Sequence, residues 1–109
     1  MSLSEVRVTL QLLRVLEALL DQPGASRYGV ELGRVTGLKS GSLYPILARL
    51  ERAGWVTSAW ENSDASELGR PRRRHYRLTG DGELAARREL ARAPGRRPAT
   101  VPRPAWGTT

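Results

Sequence analysis

The stretch "KSGSLYPILARLERAGWV", Lys39–Val56, has the spacing of a helix with two unlike faces. Leu43, Ile46, Leu47 and Leu50 fall at i, i+3, i+4 and i+7, the stripe of a helix packed on a core. Roughly opposite them, at about 100° per residue, stand Gly41, Pro45, Ala48 and Arg52, flanked by Ser42, Tyr44 and Arg49. A solvated face ordinarily carries Glu and Lys. This one is small along its midline with hydrogen-bonding side chains at its edges, which suits close approach by another molecule. Ser40 is the expected N-cap, and Gly54 closes the helix in the left-handed conformation.

Working outward, "SRYGVELGRVTG" (Ser26–Gly37) predicts a short preceding helix, capped by Ser26 and stopped by Gly37. Before it, "SEVRVTLQLLRVLEALLDQPG" (Ser4–Gly24) predicts a first helix, with Ser4 or Thr9 as N-cap and Pro23-Gly24 as the stop. Its core stripe is expected at Leu10, Leu13, Leu16, Leu19 and Leu20. On the other side of the quoted stretch the period changes to two. "GWVTSAWE" and "RRRHYRLT" alternate as strands, joined by "NSDASELGRP", a loop longer than a two-residue hairpin turn. Thr79 is placed to cap a last helix, "GDGELAARRELARA", which ends at Pro94. The remaining segment, with four prolines and three arginines, has no period and reads as a flexible tail.

This order predicts a mainly α fold with a small β-hairpin: a winged helix-turn-helix over residues 1–78, a C-terminal helix over 79–93 and a tail over 94–109. In that architecture the quoted helix turns one face to the core and leaves the other for the DNA major groove, about 12 Å wide. Gly41 and Ala48 allow close approach to base edges. Lys39, Ser40, Ser42 and Tyr44 at the helix start can contact phosphates or bases, Arg49 and Arg52 can reach either, and Pro45 costs at most one backbone bond.

Charge agrees with this placement. The 109-residue chain carries net +7, but Met1–Gly69 holds seven Lys/Arg against eight Asp/Glu, and Arg70–Thr109 eleven against three. The excess begins in the second strand region with Arg70, Arg72, Arg73, Arg74 and Arg77, an electrostatic footprint for phosphate. With no cysteine and one histidine, neither a metal site nor a cofactor is expected, and no nucleophile, base and orienting group can be assembled for an enzyme. No apolar run approaches the ~20 residues of a membrane span, so a soluble cytoplasmic protein is expected.

"GSLYPILARLERAGWV" (Gly41–Val56), Trp60 and "RRRHYRLTGDG" (Arg72–Gly82) together resemble the PadR family of bacterial transcriptional regulators. The family pattern runs G-x-L-Y-P-x-L-x-R-L-E, then a Gly-led strand and a basic wing ending in Y-x-L-T with a Gly three residues later. "SRYGVEL" fits its second helix with Tyr28 and Gly29 transposed, and the match runs from about Leu10 to Leu90. The resemblance implies a dimeric repressor of a pseudo-palindromic operator, released in some members by a small-molecule effector at the dimer interface. By position it puts Ser40, Ser42, Tyr44 and Pro45 at DNA and the wing arginines at its backbone.

Family members dimerise through a long C-terminal helix, which here stops at Pro94. The homodimer interface is therefore expected on the first and last helices together, at Leu10, Leu12, Val15, Leu19, Leu84 and Leu90. Glu51 is read as an ion-pair partner of an arginine, Trp55 as core, and His75 as a strand surface residue. Trp60 is read as core of the wing, with an aromatic effector site as the alternative. Trp106 is read as disordered or packed on the partner subunit. The competing functional class is a winged helix used as a protein-interaction or effector-sensing module, whose basic wing contacts an acidic protein; exposed Leu, Met or aromatic anchors on the quoted helix would favour it.

Overall fold

A computed structural model of the chain describes residues 6–93. Helix α1 (Leu10–Leu20) starts where the Thr9 hydroxyl accepts the Leu12 amide at 3.1 Å. Its facing differs from the sequence expectation. Leu12, Val15 and Leu19, expected at a dimer interface, are enclosed in the chain's own core with Leu16, whereas Leu10 is 61% exposed. A helix this rich in leucine is apolar on most sides, so its period leaves the facing open and packing decides it.

The expected first turn of the second helix is extended instead. Arg27–Tyr28 forms strand β1, and α2 (Gly29–Thr36) begins two residues later than the Ser26 cap implied, ending at Gly37 with φ +76°. Arg27 explains the difference. It is only 7% exposed, its guanidinium donating to the Ala18 carbonyl in the last turn of α1 at 3.1 Å and lying 3.2 Å from Glu31. A cation there satisfies a helix-terminal carbonyl and complements the negative end of α1.

Helix α3 (Ser40–Arg52) includes Ser40 as its first residue, with Lys39 in the N-cap position. Leu43, Ile46, Leu47 and Leu50 are all buried, and Gly54 follows at φ +83°. Strands β2 (Val56–Trp60) and β3 (Arg74–Leu78) pair antiparallel from Val56↔Leu78 to Trp60↔Arg74, and β1 adds to the other edge of β3, giving the order β1-β3-β2. Their loop holds one helical turn, α4 (Ala65–Leu68), fixed by a capping box between Asp64 and Glu67.

Helix α5 (Gly80–Arg92) is locked to the end of α3 by Thr79, whose hydroxyl donates to the Gly54 carbonyl at 2.7 Å and accepts the Gly82 amide at 2.8 Å. A Cβ on Gly82 would collide with the Trp55 carbonyl, so the motif glycine allows backbone to meet backbone. Helix α5 packs on α1 and sends Ala85, Ala86 and Leu90 into the core with Trp55. Leu90, expected at an interface, is thus internal, while Leu84 is 63% exposed. Among the described residues no helix is long and apolar enough to cross a membrane. Pro94, Trp106 and the tail lie outside the described residues.

Candidate nucleic-acid interface

Burial of the leucine stripe turns the other face of α3 outward. Lys39, Ser40, Gly41, Tyr44, Pro45, Ala48 and Arg52 are exposed; Ser42 and Arg49 are half-buried. Among the described residues no side chain of this face makes a hydrogen bond or ion pair within the chain, and the buried Nε of Arg49 has no hydrogen-bond partner. Tyr44, 39% exposed, rests its ring on Gly29, where any Cβ would collide with it. The "RYG" of β1 and α2 therefore supports the "LYP" of α3.

Four of the five wing arginines divide into two pairs, and Arg77 is exposed on β3. Arg70, expected to grip phosphate, is instead engaged within the loop: its guanidinium meets both oxygens of Glu61, at 2.8 and 3.0 Å, and donates to the Pro71 carbonyl at 3.1 Å. Glu61 also accepts the Arg73 backbone amide at 2.8 Å and the Tyr28 hydroxyl at 3.0 Å. The Arg70 guanidinium first, then these two donors, overcome partial burial and hold the Glu61 carboxyl down at about 2. The same carboxylate raises the Tyr28 phenol above its ordinary value by accepting its hydroxyl.

Arg74 donates to the Ser58 hydroxyl at 2.7 and 3.0 Å and lies 3.7 Å from Glu51, which accepts the Ser58 hydroxyl at 2.7 Å. The ion pair expected of Glu51 is present. Arg72 and Arg73 differ: their side chains form no hydrogen bond or ion pair among the described residues, and the Arg73 guanidinium sits 5.8 Å from the centre of the Tyr28 ring. Arg72 and Arg73 thus stand at the wing without a carboxylate partner, beside a helix face of unpartnered donors.

Between α3 and the wing lies a cleft of about 360 Å³ lined by Tyr28, Gly29, Val30, Tyr44, Trp60, Tyr76 and Arg72–Arg74. Trp60 is 49% exposed on its wall, not core of the wing, with Arg74 stacked 5.4 Å from its ring centre. The sequence reading missed Glu61, Ser58, Tyr28 and Gly29 as parts of this surface. The one available signal was the acidity of the wing loop, and the structure accounts for it: Glu61 neutralises Arg70, while Asp64 and Glu67 cap α4.

Helices α2 and α3 with the β2–β3 wing define a winged helix-turn-helix protein. Residues 15–88 match the transcriptional regulator PadR-like family, and the chain belongs to it. No curated protein matches by sequence.

Similar solved structures include a PadR family transcriptional regulator from Eggerthella lenta DSM 2243, 28% identical, with TM-score 0.58, covering 75% of this chain and 73% of that one. The PcaV transcriptional regulator from Streptomyces coelicolor, solved with its natural ligand, is 27% identical, with TM-score 0.59 and coverage of 77% and 53%. Reduced AbfR bound to DNA is 26% identical, with TM-score 0.60 and coverage of 77% and 59%. The chain spans little more than half the length of the PcaV and DNA-bound AbfR relatives.

Proposed function

We propose that the chain binds double-stranded DNA as a homodimeric transcriptional repressor, with α3 in the major groove and the wing on the phosphate backbone. The observation that carries this reading is the juxtaposition of the unpartnered α3 face with the free guanidiniums of Arg72 and Arg73 across one cleft. Small residues at Gly41 and Ala48 let the helix axis approach base edges, and Arg49 and Arg52 have the length to reach them. The DNA-bound state of the AbfR relative supports the same use of the fold.

A two-fold dimer would place two such helices in half-sites about 10 bp apart. Among the described residues Leu10 and Leu84, exposed on α1 and α5, offer apolar surface for joining the subunits. The PcaV relative, solved with its natural ligand, supports a small-molecule effector as the means of release. The protein-docking alternative draws on Val30 and Val35, exposed on α2, yet Tyr44 is the single large anchor on the α3 face. Binding of the full chain to its own upstream DNA and to random duplex tests the proposal. Arg49→Ala should reduce the preference between them by about 1–3 kcal/mol if it reads a guanine edge. Equal losses on both DNAs would reduce Arg49 to a phosphate contact.

A further inference from the structure

Two consecutive residues support both parts of the outward surface. Tyr28 closes β1 and reaches the wing, where its hydroxyl donates to Glu61 at 3.0 Å and its ring centre lies 5.8 Å from the Arg73 guanidinium. Gly29, the next residue, opens α2 and seats the Tyr44 ring of α3. Given the DNA-binding reading above, on which this rests, we propose that Tyr28 and Gly29 are positioning residues: they set the spacing between the Arg73 cation and the Tyr44 groove contact, and DNA affinity depends on them although neither touches DNA.

The pair is a fixed reference because its neighbours pin it. Arg27, just before it, is buried, donates to the Ala18 carbonyl at the end of α1 and pairs with Glu31 on α2. Tyr28 pairs with His75 on β3, and the two rings meet edge-on at 6.2 Å. Gly29 is buried and its φ is not positive, so space and not backbone conformation requires a glycine there: a Cβ would strike Tyr44. Arg73 is held at both ends. Its amide donates to Glu61, the carboxylate that Tyr28 also engages, and its guanidinium stands within the ~6 Å reach of a cation–π contact with the Tyr28 ring. Consecutive Cα atoms lie about 3.8 Å apart, so the wing cation and the α3 tyrosine are referenced to one short piece of backbone.

Neither contact belongs to the buried core. Tyr28 is half-buried and Tyr44 is 39% exposed, so loosening them leaves the leucine stripe of α3 in place. The cost falls on the arrangement of outward side chains, and it is felt when a duplex must meet both at once.

Double-mutant cycles on the full chain, binding its own upstream DNA and random duplex, test this, because a positioning residue acts only while the residue it positions is present. Gly29→Ala should weaken binding to upstream DNA at least about fivefold, and less than about twofold once Tyr44 is replaced by alanine. Tyr28→Leu should weaken both duplexes at least about fivefold, and less than about twofold in the Arg73→Ala background. Tyr28→Phe keeps the ring and removes the hydroxyl, and should fall between wild type and Tyr28→Leu. Melting temperatures should stay within about 4 °C of wild type. Losses that persist at full size in the Tyr44→Ala and Arg73→Ala backgrounds would overturn the positioning roles and leave the DNA-binding reading standing. Undiminished binding by Tyr44→Ala and Arg73→Ala themselves would remove those two residues from the DNA surface, and the positioning roles with them. The contacts are also read without DNA. The Arg73 Nε–H resonance should move toward its random-coil position in Tyr28→Leu, and the Tyr44 ring signals should shift in Gly29→Ala; if neither moves, the contacts are absent in solution and the positioning roles fail.

Discussion

Helix α3 and the wing border the same cleft, but different forces hold them. The helix is positioned by Leu43, Ile46, Leu47 and Leu50, all buried in the common core. The wing loop has no buried residue between Glu61 and Arg73; its shape comes from the Glu61 carboxylate, which gathers Arg70, the Arg73 amide and the Tyr28 hydroxyl. Hydrophobic burial makes α3 inseparable from folding, whereas a polar clasp lets the wing loosen while the domain stays folded.

Truncation at the helix should have the largest effect. Leu47→Ala deletes a fully buried side chain and should cost about 2–5 kcal/mol, measured by urea denaturation, with DNA binding lost only as far as the fold is lost. Deep loss of DNA binding at full stability would mean that the core does not set the placement of α3. At the wing the pattern should invert. Arg72→Ala with Arg73→Ala should leave stability within about 0.5 kcal/mol while flattening the log-log salt dependence by nearly 2, at about 0.9 per phosphate contact. An unchanged slope would remove both arginines from the backbone contact.

The clasp itself should give the smallest effect. Glu61→Gln keeps the shape and removes the charge, so tryptic cleavage after Arg72 and Arg73 should quicken with little change in melting temperature. The pH dependence has a definite sign. Because the folded value is depressed to about 2, the contribution of Glu61 to loop order is fully present above the ordinary carboxylate value of 4.5 and is lost as pH falls through about 2. The Arg73 amide resonance, which reports its bond to Glu61, should therefore hold its position through pH 4.5 and move near pH 2. Movement near 4.5 would show that the clasp is not formed in solution.

How far these features could be read from sequence follows the same division. Helix α3 was legible because its four buried residues keep one spacing and its other face is too small and polar to share it. Helix α1 was not, since leucines on several sides left its facing to be chosen by α2, α3 and α5. The wing strands were visible in their alternation, but the division of the arginines was hidden. It depends on Glu61 lying beside Arg70 and Tyr28, a meeting made by strand pairing across 33 residues. Strand β1 escaped for a related reason: Arg27 and Tyr28 carry no strand period of their own and become extended by pairing with Tyr76 and His75. The Gly29–Tyr44 contact likewise joins two motif fragments that sequence order keeps apart.

The central claim, that α3 and the wing together form a DNA-binding surface, is tested most directly by hydroxyl-radical footprinting of the full chain on DNA flanking its own coding region. The account predicts two blocks of backbone protection about 10 bp apart, with the protection at the wing positions weakened when Arg72 and Arg73 are both replaced by alanine. Uniform cleavage at protein concentrations that saturate the duplex, or a footprint unchanged by the double replacement, would contradict it.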